Sequence, residues 1–139
     1  MSEKSSITIK TSRDDLINIA TFVEEIGNRE DWPHGLVFRI NLVLEELALN
    51  IIDYAHDDGG VHEFDISLIS GEDAITIEVI DDGKAFDPLS DAPQPDTTTS
   101  LEDRRVGGLG LHLVRATMDE MSYRRDQEKN HLTLIARRT

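Results

Sequence analysis

Glu46 and Asn50 stand four residues apart inside the apolar-periodic run from His34 to His56. On a helix that spacing stacks both side chains on one face, one turn apart. A carboxylate and an amide so placed, beside a buried stripe, put a proton acceptor next to a metal ligand. An isolated pair of this kind is more commonly the solvated edge of an amphipathic helix. A second candidate is Asp81, followed by Asp82-Gly83 at the end of an apolar-alternating stretch. A carboxylate there accepts a hydrogen bond from a buried ligand amine; the competing reading is a turn-forming Asp-Asp-Gly. The third is Gly107-Gly108-Leu109-Gly110, which opens a helical pattern. Glycines let backbone amides approach an anion, and a helix N-terminus favours negative charge. A glycine cluster before a helix is more often only a loop. It is not a Walker A loop, because Lys-Ser/Thr does not follow, and no βαβ unit makes it a dinucleotide fingerprint.

These residues need a frame. Leu36, Ile40, Leu44 (or Val43), Leu47, Ile51 and Tyr54 recur at spacings of three and four, the mark of one buried helical face. Before them, Ile7 to Thr11 alternates as a short strand does. Ser12 is placed to cap a helix with Asp14 and Asp15 in its first turn, and Leu16, Ile19, Ala20, Val23 and Ile26 form its stripe. Gly27-Asn28 predicts its end, and Pro33-His34-Gly35 separates it from the long helix. After Asp57-Asp58-Gly59-Gly60 come two predicted strands, Val61 to Ile69 and Ala74 to Ile80. Asp81 therefore closes a strand expected in the middle of the sheet. Phe86 to Val106 has no clear periodicity and holds three of the four prolines, as a functional lid or a disordered segment does. The helical pattern from Leu111 to Met118 follows. A hairpin ends the chain: Met121 to Arg125, a polar turn from Asp126 to Asn130, and Leu132 to Ala136. Short turns between most strands argue for a largely antiparallel sheet with helices on one face.

The totals set limits. At 139 residues the chain fits one domain, 1–139, by the prior of about 150 residues per domain. With 14 basic and 28 acidic residues the net charge is −14, which argues against a binder of the nucleic-acid backbone. Such a chain suits basic partners, or anions held through backbone amides and a metal. Without cysteine there are no disulfides, thiolate chemistry or Cys-based zinc sites. No apolar run approaches the roughly 20 residues of a membrane span. The polar Met1 to Ser6 has no signal-peptide core, so a cytoplasmic protein is expected. His34, His56, His62, His112 and His131 show no metal-ligand spacing, and His112 is expected to be structural. Trp32 is expected to pack at the helix junction.

Taken in order, Glu46-x-x-x-Asn50 on a helix, Asp81-x-Gly83 after a strand, a long lid and Gly108-x-Gly110 on a helix resemble the Bergerat-fold ATP-binding superfamily. That superfamily includes the gyrase and histidine-kinase ATPases. The runs Asn50 to His56, Asp81 to Pro88, Gly107 to Val114 and Met118 to Arg125 look most like the stand-alone serine kinases that act as bacterial anti-sigma factors. The likeness covers nearly the whole chain.

The resemblance implies an α+β, two-layer sandwich: a mostly antiparallel mixed sheet, about three helices on one face, and an ATP lid over approximately 86–106. It implies ATP and Mg²⁺ as cofactors, with Asn50 coordinating the Mg²⁺ that bridges the phosphates. Glu46 would be the base that accepts the proton of the attacking hydroxyl. Asp81 would hydrogen-bond the adenine amino group, with Gly83 giving the ring room. The nucleotide-binding set it implies is completed by Phe86, Arg105, Gly107, Gly108, Leu109, Gly110 and Leu111. Arg104 and Arg105 are placed to reach the γ-phosphate from the lid end, or are solvated charges; both readings stand. Implied partners are a STAS-domain anti-anti-sigma protein and a sigma factor, in a homodimer, with no direct nucleic-acid or membrane partner.

Two departures stand out. Ala85 takes a position where many relatives have a second glycine, and Asp53 one where sensor histidine kinases often carry a basic residue. A complete histidine kinase is not expected, because dimerisation and phosphoacceptor helices have no room. The alternatives to a kinase are a non-catalytic ATP-binding regulatory module of the same fold and a nucleotide-free interaction domain.

Overall fold

The computed structural model describes residues 3–87 and 108–138, the side chains of 108–112 excepted. Most of the expected lid, with Arg104, Arg105 and Gly107, lies outside the described residues. The elements in order are β1 (Glu3–Lys10), α1 (Leu16–Arg29), α2 (His34–Tyr54), β2 (Glu63–Ser70), β3 (Ala74–Asp81), α3 (Gly108–Thr117), β4 (Glu120–Asp126) and β5 (Lys129–Arg137). The five strands form one sheet in the order β1-β2-β3-β5-β4, and all four pairings are antiparallel. Asp81 thus ends the third strand of five.

Alternation decides which face of the sheet is covered. In β3, Ile75, Ile77, Val79 and Asp81 are buried while the residues between them are half-buried. In β5, Asn130, Leu132, Leu134 and Ala136 repeat the pattern. Phe64, Ile66 and Leu68 of β2 join them, and against this face α1 sets Ile19, Val23 and Ile26. The middle helix, α2, contributes Leu36, Ile40, Val43, Leu44, Leu47 and Ala48. It packs between α1 and α3, whose Val114 is also buried. The α+β two-layer arrangement expected from the sequence is present, with a fully antiparallel sheet among the described strands.

Several boundaries differ from expectation for identifiable reasons. Ser12 does cap a turn, accepting from the Asp14 amide at 3.3 Å, but that turn is a 3-10 turn over Arg13–Asp15 that precedes α1. Gly27-Asn28 does not end α1, which runs on to Arg29 and stops where Asp31 takes φ 55°. A Cβ on Gly27 would meet Val37 Cγ2 at 2.7 Å, so this glycine serves close packing of α1 on α2. Trp32 is buried at that junction as expected, and its Nε1 donates to Ser70 Oγ at 3.2 Å. Tyr54 does not continue the buried stripe of α2 and is 41% exposed. Twenty-one residues make about 31 Å of helix, against about 26 Å for a strand the length of β2 or β3.

Candidate nucleotide site

The centre of the site is where β3 ends. Asp81 is 8% exposed, and its Oδ1 accepts both the Gly83 amide at 2.9 Å and Asn130 Nδ2 at 3.0 Å. Its Oδ2 has no partner among the described residues. A carboxylate oxygen in this state is an acceptor for a ligand N–H. Asn130 faces Asp81 across the β3–β5 ladder. Its Nδ2 also donates to Lys84 O at 2.8 Å. Its Oδ1 accepts from Arg125 Nη1 at 3.1 Å, from the Phe86 amide at 3.3 Å and from the Tyr123 hydroxyl. Arg125 Nη1 further donates to Gly83 O at 2.8 Å. Asn130 thereby fixes both the acid and the Gly83–Phe86 loop.

Sequence reasoning missed Asn130 by placing it in a turn. The turn is only Gln127-Glu128, with φ 52° and 62°, the geometry of a type I′ hairpin. The signal was present all the same: Asn130 is the polar member of an inward-facing series with Leu132, Leu134 and Ala136.

The loop after Asp81 is clamped to the end of α2. Lys84 N donates to Ala55 O at 2.9 Å. A Cβ on Gly83 would fall 2.5 Å from Ala55 Cβ and 2.6 Å from Ala55 O. The space left by the missing side chain is thus filled by Ala55, where the sequence reading reserved it for a ligand ring. Gly83→Ala would force that loop off the helix end, at a cost of about 1–3 kcal/mol for an overpacked contact. The expected result is a lower thermal midpoint in a melt followed by circular dichroism, together with weaker ATP binding.

The same helix carries the other candidate residues inward from Ala55. Asn50 is half-buried, and its Nδ2 donates to the backbone carbonyl of Glu46 at 3.0 Å. That bond holds the amide and leaves Oδ1 without a partner among the described residues. Glu46, also half-buried, lies one turn further on. From Ala55 to Asn50 is about 7.5 Å of helix, and to Glu46 about 13.5 Å. Asn50 and Glu46 therefore follow Ala55 along one helix. On that helix packs α3, which begins at Gly108, so Gly108, Leu109 and Gly110 contribute first-turn amides of a ten-residue helix. Leu111 follows in the same helix. Phe86 sits on the loop and is 39% exposed. The fold joins Asp81, Gly83 and Phe86 around Asn130 and ties their loop to Ala55 at the end of α2, the helix that also carries Asn50 and Glu46. Asp53, one of the departures, pairs with Arg13 Nη2 at 2.8 Å, so its charge is satisfied within the chain.

The histidines do not behave as their spacing suggests. Although far from any ligand motif in sequence, His56 and His62 stack, ring centroids 3.6 Å apart, beside Asp82. His62 Nε2 meets both Asp58 oxygens at 2.8 and 2.9 Å. That hydrogen bond, helped by the Gly60 amide, holds the exposed Asp58 carboxyl below the usual carboxylate range.

Known proteins bear on this arrangement. The chain is 33% identical over 131 residues to the serine/threonine-protein kinase BtrW of Bordetella bronchiseptica, covering 94% of this chain and 89% of that one. To the anti-sigma F factor of Caldanaerobacter subterraneus it is 34% identical over 82 residues, covering 59% of this chain and 56% of the relative. Among solved structures, the RsbU and RsbW domains of a Mycobacterium tuberculosis protein superpose with a TM-score of 0.63 at 14% identity, over 97% of this chain and 32% of that one. At that identity the likeness concerns the fold alone. The pattern of the histidine kinase-like ATPase domain matches residues 9–136, nearly the whole length. On that match this chain belongs to the histidine kinase-like ATPase domain family.

Proposed function

We propose that the chain is an ATP-dependent protein-serine/threonine kinase that acts as an anti-sigma regulatory factor. Its substrate is a STAS-type anti-anti-sigma protein, and it sequesters a sigma factor in alternation with that substrate, as a cytoplasmic homodimer. No helix among the described residues is long and apolar enough to cross a membrane. The observation that carries the reading is the union of two halves. A buried Asp81 with a spare carboxylate oxygen is clamped, through Gly83 and Ala55, to the helix bearing Asn50 and Glu46.

Those residues fit a magnesium nucleotide. Asp81 and the Gly83–Phe86 loop would hold the base, Asn50 offers an amide oxygen suited to a hard cation, and the first-turn amides from Gly108 to Gly110 are donors suited to phosphate oxygens. When bound, Mg²⁺·ATP supplies the γ-phosphoryl group and neutralises its charge. The chain's own part is to position and to accept a proton. Glu46 takes the proton of the serine hydroxyl as its oxygen bonds to phosphorus, and ADP leaves.

The test is incubation of the full chain with ATP, Mg²⁺ and a STAS protein from the same host. Phosphoserine on that protein is expected. In Asn50→Ala, Mg²⁺ should cease to strengthen ATP binding in calorimetry, and transfer should be lost with it. ATP bound by folded wild-type protein with no phosphoserine on any candidate would make the chain a non-catalytic binding module.

A further inference from the structure

His56, His62 and Asp82 belong to three different segments: the end of α2, the approach to β2 and the residue after β3. Each offers a ligand atom, and these atoms all lie within 4.8 Å of one another. The imidazoles are nearly parallel, 9° between planes. His56 Nε2 is buried without a hydrogen-bond partner among the described residues and lies 3.4 Å from Asp82 Oδ1. A nitrogen sealed from water in that state is stabilised by any cation its lone pair can reach. His62 is oriented from behind by the Asp58 carboxylate, the outer-shell pairing that aims metal-bound imidazoles. We propose that His56, His62 and Asp82 form a site for a divalent transition-metal ion of the zinc class, separate from the magnesium of the nucleotide.

Two imidazole nitrogens and one carboxylate select zinc, cobalt or nickel over magnesium, which prefers all-oxygen ligands. Metal–nitrogen bonds of about 2.0–2.1 Å in a tetrahedral site bring ligand atoms to roughly 3.3 Å apart. The three groups must therefore close in, and the rings must fan out of parallel so that their lone pairs converge. Access is open: His62 and Asp82 line a surface cavity of about 600 Å³ with Thr8, Lys10, Glu63 and Asp65. These strand residues, and Ile80 beside them, point away from the helices, so the ion enters from the uncovered face of the sheet. A bound ion ties the Asp81-Asp82-Gly83 loop to the end of α2. If the proposed nucleotide site is correct, occupancy also stiffens the base-binding end of the groove; the metal site itself does not depend on that reading.

Co²⁺ is the probe, added to the full chain without nucleotide and with excess Mg²⁺ present. The expected result is one Co²⁺ per chain with visible d–d absorption, displaced by Zn²⁺ and unaffected by Mg²⁺. His62→Ala and Asp82→Asn should each abolish the spectrum, and Asp58→Asn should weaken binding about 10- to 100-fold. His34→Ala, at the other end of α2, should change nothing. Asp82 is more than half exposed, so its variant reports even if the histidine variant misfolds. Absence of a spectrum, binding that survives Asp82→Asn in folded protein, or displacement by Mg²⁺ would overturn the site. ATP calorimetry on the same samples tells that failure apart from failure of the nucleotide site.

Discussion

Glu46→Ala is expected to bind ATP about as well as the parent chain and to phosphorylate serine about 10²- to 10⁴-fold more slowly, the range for loss of a general base. The separation of binding from transfer follows from the geometry of α2. Asn50 Nδ2 donates to the Glu46 backbone carbonyl. Truncation at position 46 leaves that bond intact, and Ala is the strongest helix former, so the metal ligand keeps its place. Steady-state transfer with saturating ATP, beside calorimetry of ATP binding, reads both quantities. A parallel fall in affinity and rate would mean that Glu46 shapes the pocket and does not act as the base.

Substitutions at Asp81 should divide stability from recognition. Asp81→Ala removes the acceptor shared by the Gly83 amide and Asn130 Nδ2. Buried donors left unpaired cost about 1–3 kcal/mol each, so a loss of about 2–6 kcal/mol is expected. For a domain of this size that lowers the melting temperature by on the order of 10 °C. Nucleotide binding should disappear with it. Asp81→Asn is different: an amide oxygen can keep both donors while its NH₂ takes the place of Oδ2. Two donors then oppose each other at the base, which should weaken ATP about 10- to 100-fold with little change in the melt. Equal ATP affinity in Asp81→Asn and the parent chain would remove Asp81 from base recognition.

What the sequence conveyed about this fold depended on the range of the interactions involved. The core face of α2 is set by local periodicity, so Leu36, Ile40, Val43, Leu44 and Leu47 were readable without coordinates. Asp81 was readable because strand alternation fixes its inward direction. The antiparallel register between Asp81 and Asn130 was not, since it depends on a two-residue turn with no Asn-Gly or Asp-Gly signal. Gly27 reads locally as a helix stop, yet packing against Val37 carries α1 past it. The meeting of His56 with His62 and Asp82 is wholly tertiary. It arises because the chain leaving α2 enters β2 beside the end of β3.

The central claim is that this site moves phosphate from ATP to a protein serine. The most direct measurement is a time course of phosphoserine on the host's STAS protein, read by mass spectrometry, with ATP and Mg²⁺ saturating. Wild-type chain and Glu46→Ala are run side by side after both are shown to bind ATP. Steady accumulation on one serine is expected with the wild-type chain and next to none with the variant. Equal accumulation with both, or none with either, would contradict it.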